Sequence, residues 1–337
     1  MNEMNEITVE TLETRAAATL RQIARNEAIK AYVLESEALY STLLKAVMRF
    51  IGGETLPQCI ETVRILNQEA FATTIDYMGE STRSATQVQQ VTEEFLSVVR
   101  AINQEKLVSS VSLDLSHIGL ALDADLAFEN ASAIITAAHR AGTEVMISME
   151  GSERTNDILE MYQRLCQHFE NVGITLQAKL YRSTEDLVSV LKQPGKIRLV
   201  KGAYQEPPDI ACSSAAEVSA AYCNLMETLL NSGHSCAIAT HNPVLLEHAH
   251  QSIQTYHLDS RLIEFEMLQG ITPERLKTMQ DRGYRTRVYL PYGKEWYLYL
   301  CHRLAEYPPN LYQALIDTVG MSFEEKIETV QMPILHH

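Results

Sequence analysis

Eight short runs rich in β-branched and aromatic residues recur between residues 71 and 290, each separated from the next by a segment long enough for one helix. The runs are FATTIDY (71–77), VSSVSLDL (108–115), EVMISM (144–149), GITLQA (173–178), IRLVKG (197–202), SCAIAT (235–240), IEFEML (263–268) and TRVYL (286–290). Strands that alternate with helices run parallel, and eight such repeats in 337 residues predict a closed (β/α)8 barrel of the TIM type. A doubly wound sheet, the competing α/β architecture, would need a Gly-rich dinucleotide turn, and no GxGxxG pattern is present.

The first 50 residues differ from the rest, because they contain helix formers and apolar residues at three- and four-residue spacing without glycine or proline. Gly52 and Gly53 end this segment. No linker or low-complexity stretch interrupts the remainder. The sequence therefore predicts an N-terminal helical extension over residues 1–50 and one barrel domain over residues 51–337.

Charge and cysteine usage narrow the function classes. The net charge is −15 and no basic cluster is present, which disfavours binding to nucleic acid or to an anionic membrane surface. Six cysteines lack CxxC or other metal-ligand spacing, and the N-terminus lacks the order of a signal peptide, so we expect reduced thiols, no metal and a cytoplasmic enzyme. No apolar run approaches the roughly 18 residues of a membrane span.

Polar residues stand at the carboxyl ends of nearly all predicted strands, where a barrel of this type carries its chemistry. In chain order these ends are Asp76 with Glu80, Asp114, Ser148 with Glu150, Gln177, Lys201, Thr240–His241–Asn242, Leu268 and Tyr289. A single polar strand end is usually a cap or a turn. A polar end on almost every strand indicates a lined pocket.

Two of these strand ends allow more than one chemistry. Lys201 could form a Schiff base, as in an aldolase-type barrel, or could be a permanent cation that faces a phosphate or an electron-rich ring. Residues Thr240–His241–Asn242 could supply a base with its orienting amide, or hydrogen-bond donors to a cofactor. Composition and spacing leave both choices open.

A polar helix face is predicted in the stretch KEWYLYLCHRLAE, from Lys294 to Glu306. Helical spacing puts four polar side chains on one face, and the opposite face is apolar. The polar face consists of Tyr299, His302, Arg303 and Glu306. It is either a solvated stripe on a surface helix or the wall of a pocket.

Residues from about 45 to 320 resemble the proline dehydrogenases, and especially their single-function bacterial members. The motifs that carry the resemblance are RFIGGETL, TIDYMGES, VSLDLSHIGLALD, MEGSERT, LQAKLYRSTEDL, RLVKGAYQEP, ATHNPVLL, EFEMLQG and VYLPYGKEWYLYLCHRLAE, in this order. The family consists of FAD-dependent barrel enzymes that oxidise proline to pyrroline-5-carboxylate. The resemblance implies that the polar face of the last helix belongs to the substrate pocket.

The resemblance also implies an FAD site. Gln177 would bind the pyrimidine end of the isoalloxazine ring, and Arg198 would lie near its N5 atom. Lys201 would be electrostatic, stabilising negative charge on the ring rather than forming a Schiff base. The remaining residues implied at the cofactor are Gly202, Ala203, Tyr204, Thr240, His241 and Asn242.

The implied substrate site departs from the family pattern. The family lysine of the second strand is Asp114 here, and the aspartate of the third strand is Ser148. The first of two paired arginines on the last helix is His302, and a glutamine of the seventh strand is Glu266. The family residues that remain are Leu268, Tyr289, Tyr299, Arg303 and Glu306.

These departures lead to a functional expectation. Two of the three cations that hold the carboxylate of proline in the family are replaced, one of them by an anion. We therefore expect a flavin-dependent amine dehydrogenase or oxidase that transfers hydride from the carbon beside an amine nitrogen to flavin N5, on a substrate other than free L-proline. Proline dehydrogenase itself and a barrel without catalysis are the alternatives. A quinone or oxygen would accept the electrons, and the oligomeric state is left open.

Overall fold

The computed structural model of the protein describes residues 15–24, 26–79 and 82–306, together with positions 310, 312, 314 and 316. Glu80, predicted at the end of the first strand, lies outside the described residues. The described residues fall into two compact units. One extends from Gly52 to Gly293, and the other combines residues up to Ile51 with residues from Lys294 onward.

The unit from Gly52 to Gly293 is built on eight parallel strands that close into a barrel in chain order. The last strand pairs with the first, with Ile75 opposite Leu290. The strands are β1 (Ala72–Tyr77), β2 (Ser109–Leu113), β3 (Val145–Ile147), β4 (Val172–Gln177), β5 (Ile197–Val200), β6 (Cys236–Ala239), β7 (Ile263–Leu268) and β8 (Arg285–Tyr292). Each predicted run overlaps one of these strands, so the predicted (β/α)8 barrel is confirmed.

Twelve α-helices are defined within the described residues, and one of them fills each interval between consecutive strands. The helices are α1 (15–24), α2 (Glu27–Glu35), α3 (Glu37–Val47), α4 (Leu56–Gln68), α5 (Ala85–Glu105), α6 (Ala124–Arg140), α7 (Thr155–Cys166), α8 (Ser183–Val190), α9 (Ala215–Asn231), α10 (Pro243–Thr255), α11 (Pro273–Asp281) and α12 (Trp296–Glu306). Over the described stretches, none combines the length and apolar character that crossing a bilayer requires.

Local sequence signals set where the barrel helices begin. The side chain of Ser84 accepts a hydrogen bond from the first turn of α5, and Asp123 does the same for α6. Asn242 caps α10 and is followed by Pro243, a residue whose fixed φ suits the first helical position. Each cap contributes about 1 kcal/mol to stability. Single capping residues therefore fix where these helices begin.

The hydrophobic core lies between the strands and the surrounding helices. Outward-facing strand residues such as Ile75, Val111 and Leu199 are completely buried, as are Phe95 of α5 and Tyr162 of α7. Burying one such side chain is worth about 1.5–3 kcal/mol. The outer side of the barrel is therefore stabilised by apolar packing.

The other unit combines helices from both ends of the chain. Trp296 of α12 is fully buried, and its ring centroid lies 5.3 Å from that of Tyr40 in α3. The Tyr297 hydroxyl donates to the carbonyl of Ile23 over 3.3 Å. The expected division at residues 50 and 51 therefore differs from this grouping of contacts. That division stays a prediction, because a contact unit is not by itself an independently folding domain.

A buried ion pair lies in the lower part of the barrel interior, near the amino ends of the strands. Glu264 accepts two hydrogen bonds from Arg287, over 2.6 and 3.1 Å, and lies 3.4 Å from the ammonium of Lys196. Arg287 also donates to Ser110 Oγ over 2.9 Å. Burial acts to raise the pKa of Glu264, but the charges of Arg287 and Lys196 outweigh it and hold that pKa at about 2. The carboxylate is therefore ionised at neutral pH.

We expect Glu264→Gln to destabilise the barrel by about 3–5 kcal/mol at pH 7, because it leaves buried cations without a counter-charge. The stability that the wild-type carboxylate contributes is fully present above its ordinary pKa of 4.5 and is lost as the pH falls towards about 2. Denaturant unfolding of both proteins at several pH values measures the difference. The control is Glu247→Gln, which removes an exposed pair with Arg282 and should change stability little. Equal losses in the two variants would contradict the assignment.

Candidate functional site

Hydrogen bonds between strands that are not neighbours identify the side chains inside the barrel. Arg198 of β5 donates to Ser112 Oγ of β2 over 2.9 Å, and β2 and β5 lie far apart in the strand order. Such a bond must cross the lumen. Because side chains alternate along a strand, Asp114, two residues beyond Ser112, is placed on the same side.

Arg198 is the central cation of the upper lumen, by which we mean the part of the barrel interior nearer the carboxyl ends of the strands. Its three donor nitrogens bind Thr175 Oγ1 at 3.0 Å, Glu266 Oε1 at 3.2 Å and Ser112 Oγ at 2.9 Å. Arg198 is 4% exposed and Glu266 is 3% exposed. Ser148 joins this group, because its hydroxyl lies 3.1 Å from that of Ser112. Three strand residues therefore hold the guanidinium in place, and Ser148 supports one of them, Ser112.

Tyr289 lies beside this guanidinium and is bonded to Asp76. The Arg198 Cζ atom lies 5.1 Å from the centroid of the Tyr289 ring. Burial raises the pKa of Asp76 to about 6, although the hydrogen bond from Tyr289 and the charge of Arg198 oppose the shift. Burial and then Asp76 raise the pKa of Tyr289 well above its ordinary value, and Asp114 adds to that rise. The carboxyl groups of Asp76 and Asp114 therefore both favour the protonated form of the Tyr289 hydroxyl.

Gln177 presents a buried acceptor to this end of the barrel. Its Nε2 atom donates to the carbonyl of Glu150 over 2.7 Å, whereas its Oε1 atom is buried without a hydrogen-bond partner among the described residues. Leaving such an oxygen unpaired costs about 1–3 kcal/mol, so the position favours a ligand with a hydrogen-bond donor. Gly202 has a φ of +103°, and a Cβ there would approach Gln177 Oε1 to 2.9 Å. The same Cβ would lie 2.7 Å from the side chain of Lys179, so the backbone at Gly202 packs closely against both residues.

The structure places Lys201 differently from Arg198. Its ammonium lies 3.4 Å from Ser219 Oγ of α9, on the helix side of β5 rather than among the cross-lumen bonds. Burial lowers the pKa of Lys201, and Cys223 acts against that shift. Ala203 is exposed, and the carbonyl of Tyr204 accepts a 2.5 Å hydrogen bond from Lys179. The cofactor role expected of Lys201, Ala203 and Tyr204 stays a prediction.

The residues after β6 are engaged in local structure. Asn242 Oδ1 accepts from the backbone of α10, and Thr240 Oγ1 accepts from Asn242 N over 3.2 Å. His241 Nε2 accepts from the backbone N–H of Leu268 over 3.3 Å, which links the ends of β6 and β7. Their expected contacts with the ribityl chain and phosphates of a cofactor stay a prediction.

Three of the four polar residues predicted on the last helix, Tyr299, Arg303 and Glu306, interact with one another within α12. Arg303 donates to Glu306 over 2.5 Å, and its Cζ atom lies 5.0 Å from the Tyr299 ring centroid. Arg303 is buried, whereas His302 is half-buried. The pocket role of this face stays a prediction from the resemblance.

Three contributors to the upper lumen were absent from the predicted site: Asp76, Ser112 and Thr175. Asp76 was noted only as a polar strand end. Alternate serines in β2 and the threonine two residues before Gln177 were the available signals, because they share strand parity with predicted site residues. The alternation of side chains shows which residues of a strand face the lumen, but it does not show which residue of a distant strand each of them contacts.

Comparisons with known proteins identify the family of the chain. A family model described as proline dehydrogenase matches residues 59–310. Proline dehydrogenase 1 of Bacillus subtilis subsp. natto is 37% identical over 271 residues, which are 80% of this chain and 89% of that protein. The chain belongs to the proline dehydrogenase family. It is accordingly a flavin-dependent oxidoreductase of the class that acts on CH–NH bonds.

Further members of the proline dehydrogenase family show how far the likeness extends. The proline dehydrogenase of Deinococcus radiodurans is 33% identical over 267 residues, covering 78% of this chain and 86% of that protein. The crystal structure of proline utilization A from Bdellovibrio bacteriovorus inactivated by N-propargylglycine matches with a TM-score of 0.75 and 21% identity. That match covers 85% of this chain and 38% of the larger one. It shows a shared barrel fold.

We expect Asp76→Asn to stabilise the protein by about 1–3 kcal/mol at pH 7.5, because the buried carboxyl resists ionisation. A pKa raised from 3.8 to about 6 means that the native state binds more protons than the unfolded state between these values. Wild-type stability therefore falls as the pH rises through this window, and the variant should lack that fall. Unfolding free energies at pH 4 and 7.5 test this, with the exposed Asp125→Asn as control. A gain that is equal at both pH values would contradict the assignment.

Proposed function

We propose that the chain is an FAD-dependent amine dehydrogenase or oxidase that converts a CH–NH bond to an imine, on a substrate other than free L-proline. The observation that carries the proposal is the charge of the upper lumen. Asp76, Asp114 and Glu266 contribute carboxyl groups, and the guanidinium of Arg198 is already paired with Glu266. This arrangement supports a substrate that brings positive charge or hydrogen-bond donors rather than a carboxylate.

The residues at the end of β4 and β5 fit the isoalloxazine of FAD. Gln177 Oε1 is buried without a partner among the described residues and would accept a hydrogen bond from the ring. Gly202 lets the backbone pass close to that oxygen, where a Cβ would collide with Lys179 and with Gln177. When bound, a flavin supplies a two-electron acceptor for the hydride of the amine substrate. The residues of the chain would hold the ring and exclude water around it.

Asp114 and His302, which stand where the family has a lysine and an arginine, are the residues that disfavour free proline in this proposal. A charge-assisted hydrogen bond to a carboxylate is worth about 1.5–3 kcal/mol, so replacing two cationic partners should weaken proline binding by about 3–6 kcal/mol. That loss corresponds to about 10²- to 10⁴-fold in affinity. Asp114 would add repulsion, because its charge acts in the same region as that of Asp76.

Proline dehydrogenase activity is the second candidate, and the relatives favour it. Bacterial proteins named proline dehydrogenase are 33–37% identical over nearly four-fifths of this chain. In this case the altered pocket would raise the Michaelis constant for proline without changing the reaction. The two candidates share the cofactor and differ in the substrate.

The visible spectrum of the purified protein, followed by anaerobic titration, separates the candidates. Flavin absorbance that bleaches with cationic or uncharged amines, but not with proline at similar concentrations, would support the proposal. Bleaching by proline alone would support the second candidate. A preparation that neither contains nor takes up FAD would overturn both. Reoxidation by a quinone or by oxygen then identifies the electron acceptor.

We expect the double variant Asp114→Lys, Ser148→Asp to reduce its flavin with proline at least about tenfold faster than wild type at low substrate concentration. The lysine replaces a repelling carboxylate with a cation, and the aspartate can hold that lysine. Anaerobic stopped-flow measurement of flavin bleaching gives the rate. Glu160→Lys makes the same charge reversal as Asp114→Lys, but on an exposed position of α7, and should have no effect. Equal rates in wild type and the double variant would contradict the proposal that Asp114 and Ser148 lie where the substrate binds.

A further inference from the structure

The guanidinium of Arg198 has a single charged partner among its three hydrogen-bond acceptors. Thr175 and Ser112 accept through neutral hydroxyl groups, whereas Glu266 accepts through a carboxylate oxygen at 3.2 Å. Both charged groups are more than nine-tenths buried. Glu266 is therefore the carboxylate that is hydrogen-bonded to Arg198, and the charge of Asp76 acts on the same guanidinium.

Glu266 also lies within electrostatic reach of the lower layer of the barrel. Burial acts to lower the pKa of Arg287, but Glu264 and then Glu266 raise it overall. Lys196 has its own carboxylate partners in Glu144 and Glu264. The buried basic residues of the lumen thus have carboxylate partners, and removing the charge of Glu266 would leave Arg198 without its hydrogen-bonded counter-charge.

We infer that Glu266 is a positioning residue that fixes the guanidinium of Arg198 and would lower the reduction potential of a flavin bound at this site. This inference rests on the proposed function. A flavin gains negative charge when it is reduced, so an unpaired cation near the ring stabilises the reduced form. A carboxylate paired with that cation cancels much of this effect, because charges interact strongly at low dielectric.

The pair has consequences for both halves of the catalytic cycle. A lower potential makes removal of hydride from the amine less favourable and makes transfer of electrons to the acceptor more favourable. The orientation of Arg198 also depends on Glu266, since Thr175 and Ser112 provide only neutral hydrogen bonds. Replacing the carboxylate by an amide keeps the shape of the side chain while removing its charge.

The reduction potential of the flavin in the purified holoprotein tests the inference, measured by equilibration with redox dyes and without any amine substrate. For Glu266→Gln we expect a more positive potential. At the wild-type midpoint, the ratio of reduced to oxidised flavin should rise at least about tenfold, which for two electrons is about 30 mV. Ser112→Ala, which removes a neutral partner of Arg198, should produce a much smaller change.

Glu266→Asp provides a second variant in case the glutamine variant does not fold or retain flavin. It keeps the charge but is shorter by one methylene group, which weakens the pair, so the potential should shift in the same direction by less. An unchanged or more negative potential in a folded, flavin-containing variant at position 266 would overturn the inference and leave the proposed function standing. A wild-type protein that cannot bind FAD would overturn both.

Discussion

When eight parallel strands close into a barrel, every second side chain of each strand faces a narrow lumen. Water is scarce there, so burying an unpaired charge costs much free energy. This chain places arginine and glutamate side chains there rather than the aliphatic layers typical of such barrels. Their stability depends on matched pairing, with Arg287 on Glu264 in the lower layer and Arg198 on Glu266 above it. The ion pair of Arg198 with Glu266 fixes the positions of these two side chains in the candidate site.

The upper lumen differs in character from a site designed for a carboxylate. Its guanidinium is already bonded to three partners, and the nearby carboxyl groups of Asp76 and Asp114 act on Tyr289. A bound carboxylate would compete with Glu266 for Arg198 and would be repelled by Asp114. These two facts connect the proposed substrate preference with the inferred effect of Glu266 on the flavin potential, because both follow from the same excess of carboxyl groups.

Much of the fold was accessible from the sequence, whereas the site was accessible only in part. The strand runs and helix caps are local patterns, so they predicted the barrel and its element boundaries. The structure brings together Arg198, Glu266 and Tyr289, which the sequence placed in the site, and their roles stay predictions. Lys201 was expected along the cofactor, yet its ammonium lies beside Ser219 of α9, because the residue stands at the opposite strand parity. The partnership of Asp76 with Tyr289 was not predicted, since it depends on contacts inside the closed barrel.

The sequence by itself determined the alternation of strands and helices, the capping residues, the family and the departures from its substrate pattern. These properties depend on residues that are near one another in the chain or on direct comparison of motifs. The tertiary structure decided which charges meet, because the partners of Arg198 come from β2, β4 and β7, up to 86 residues apart. Only barrel closure brings those strands together, and with it the pairing that sets the charge of the lumen.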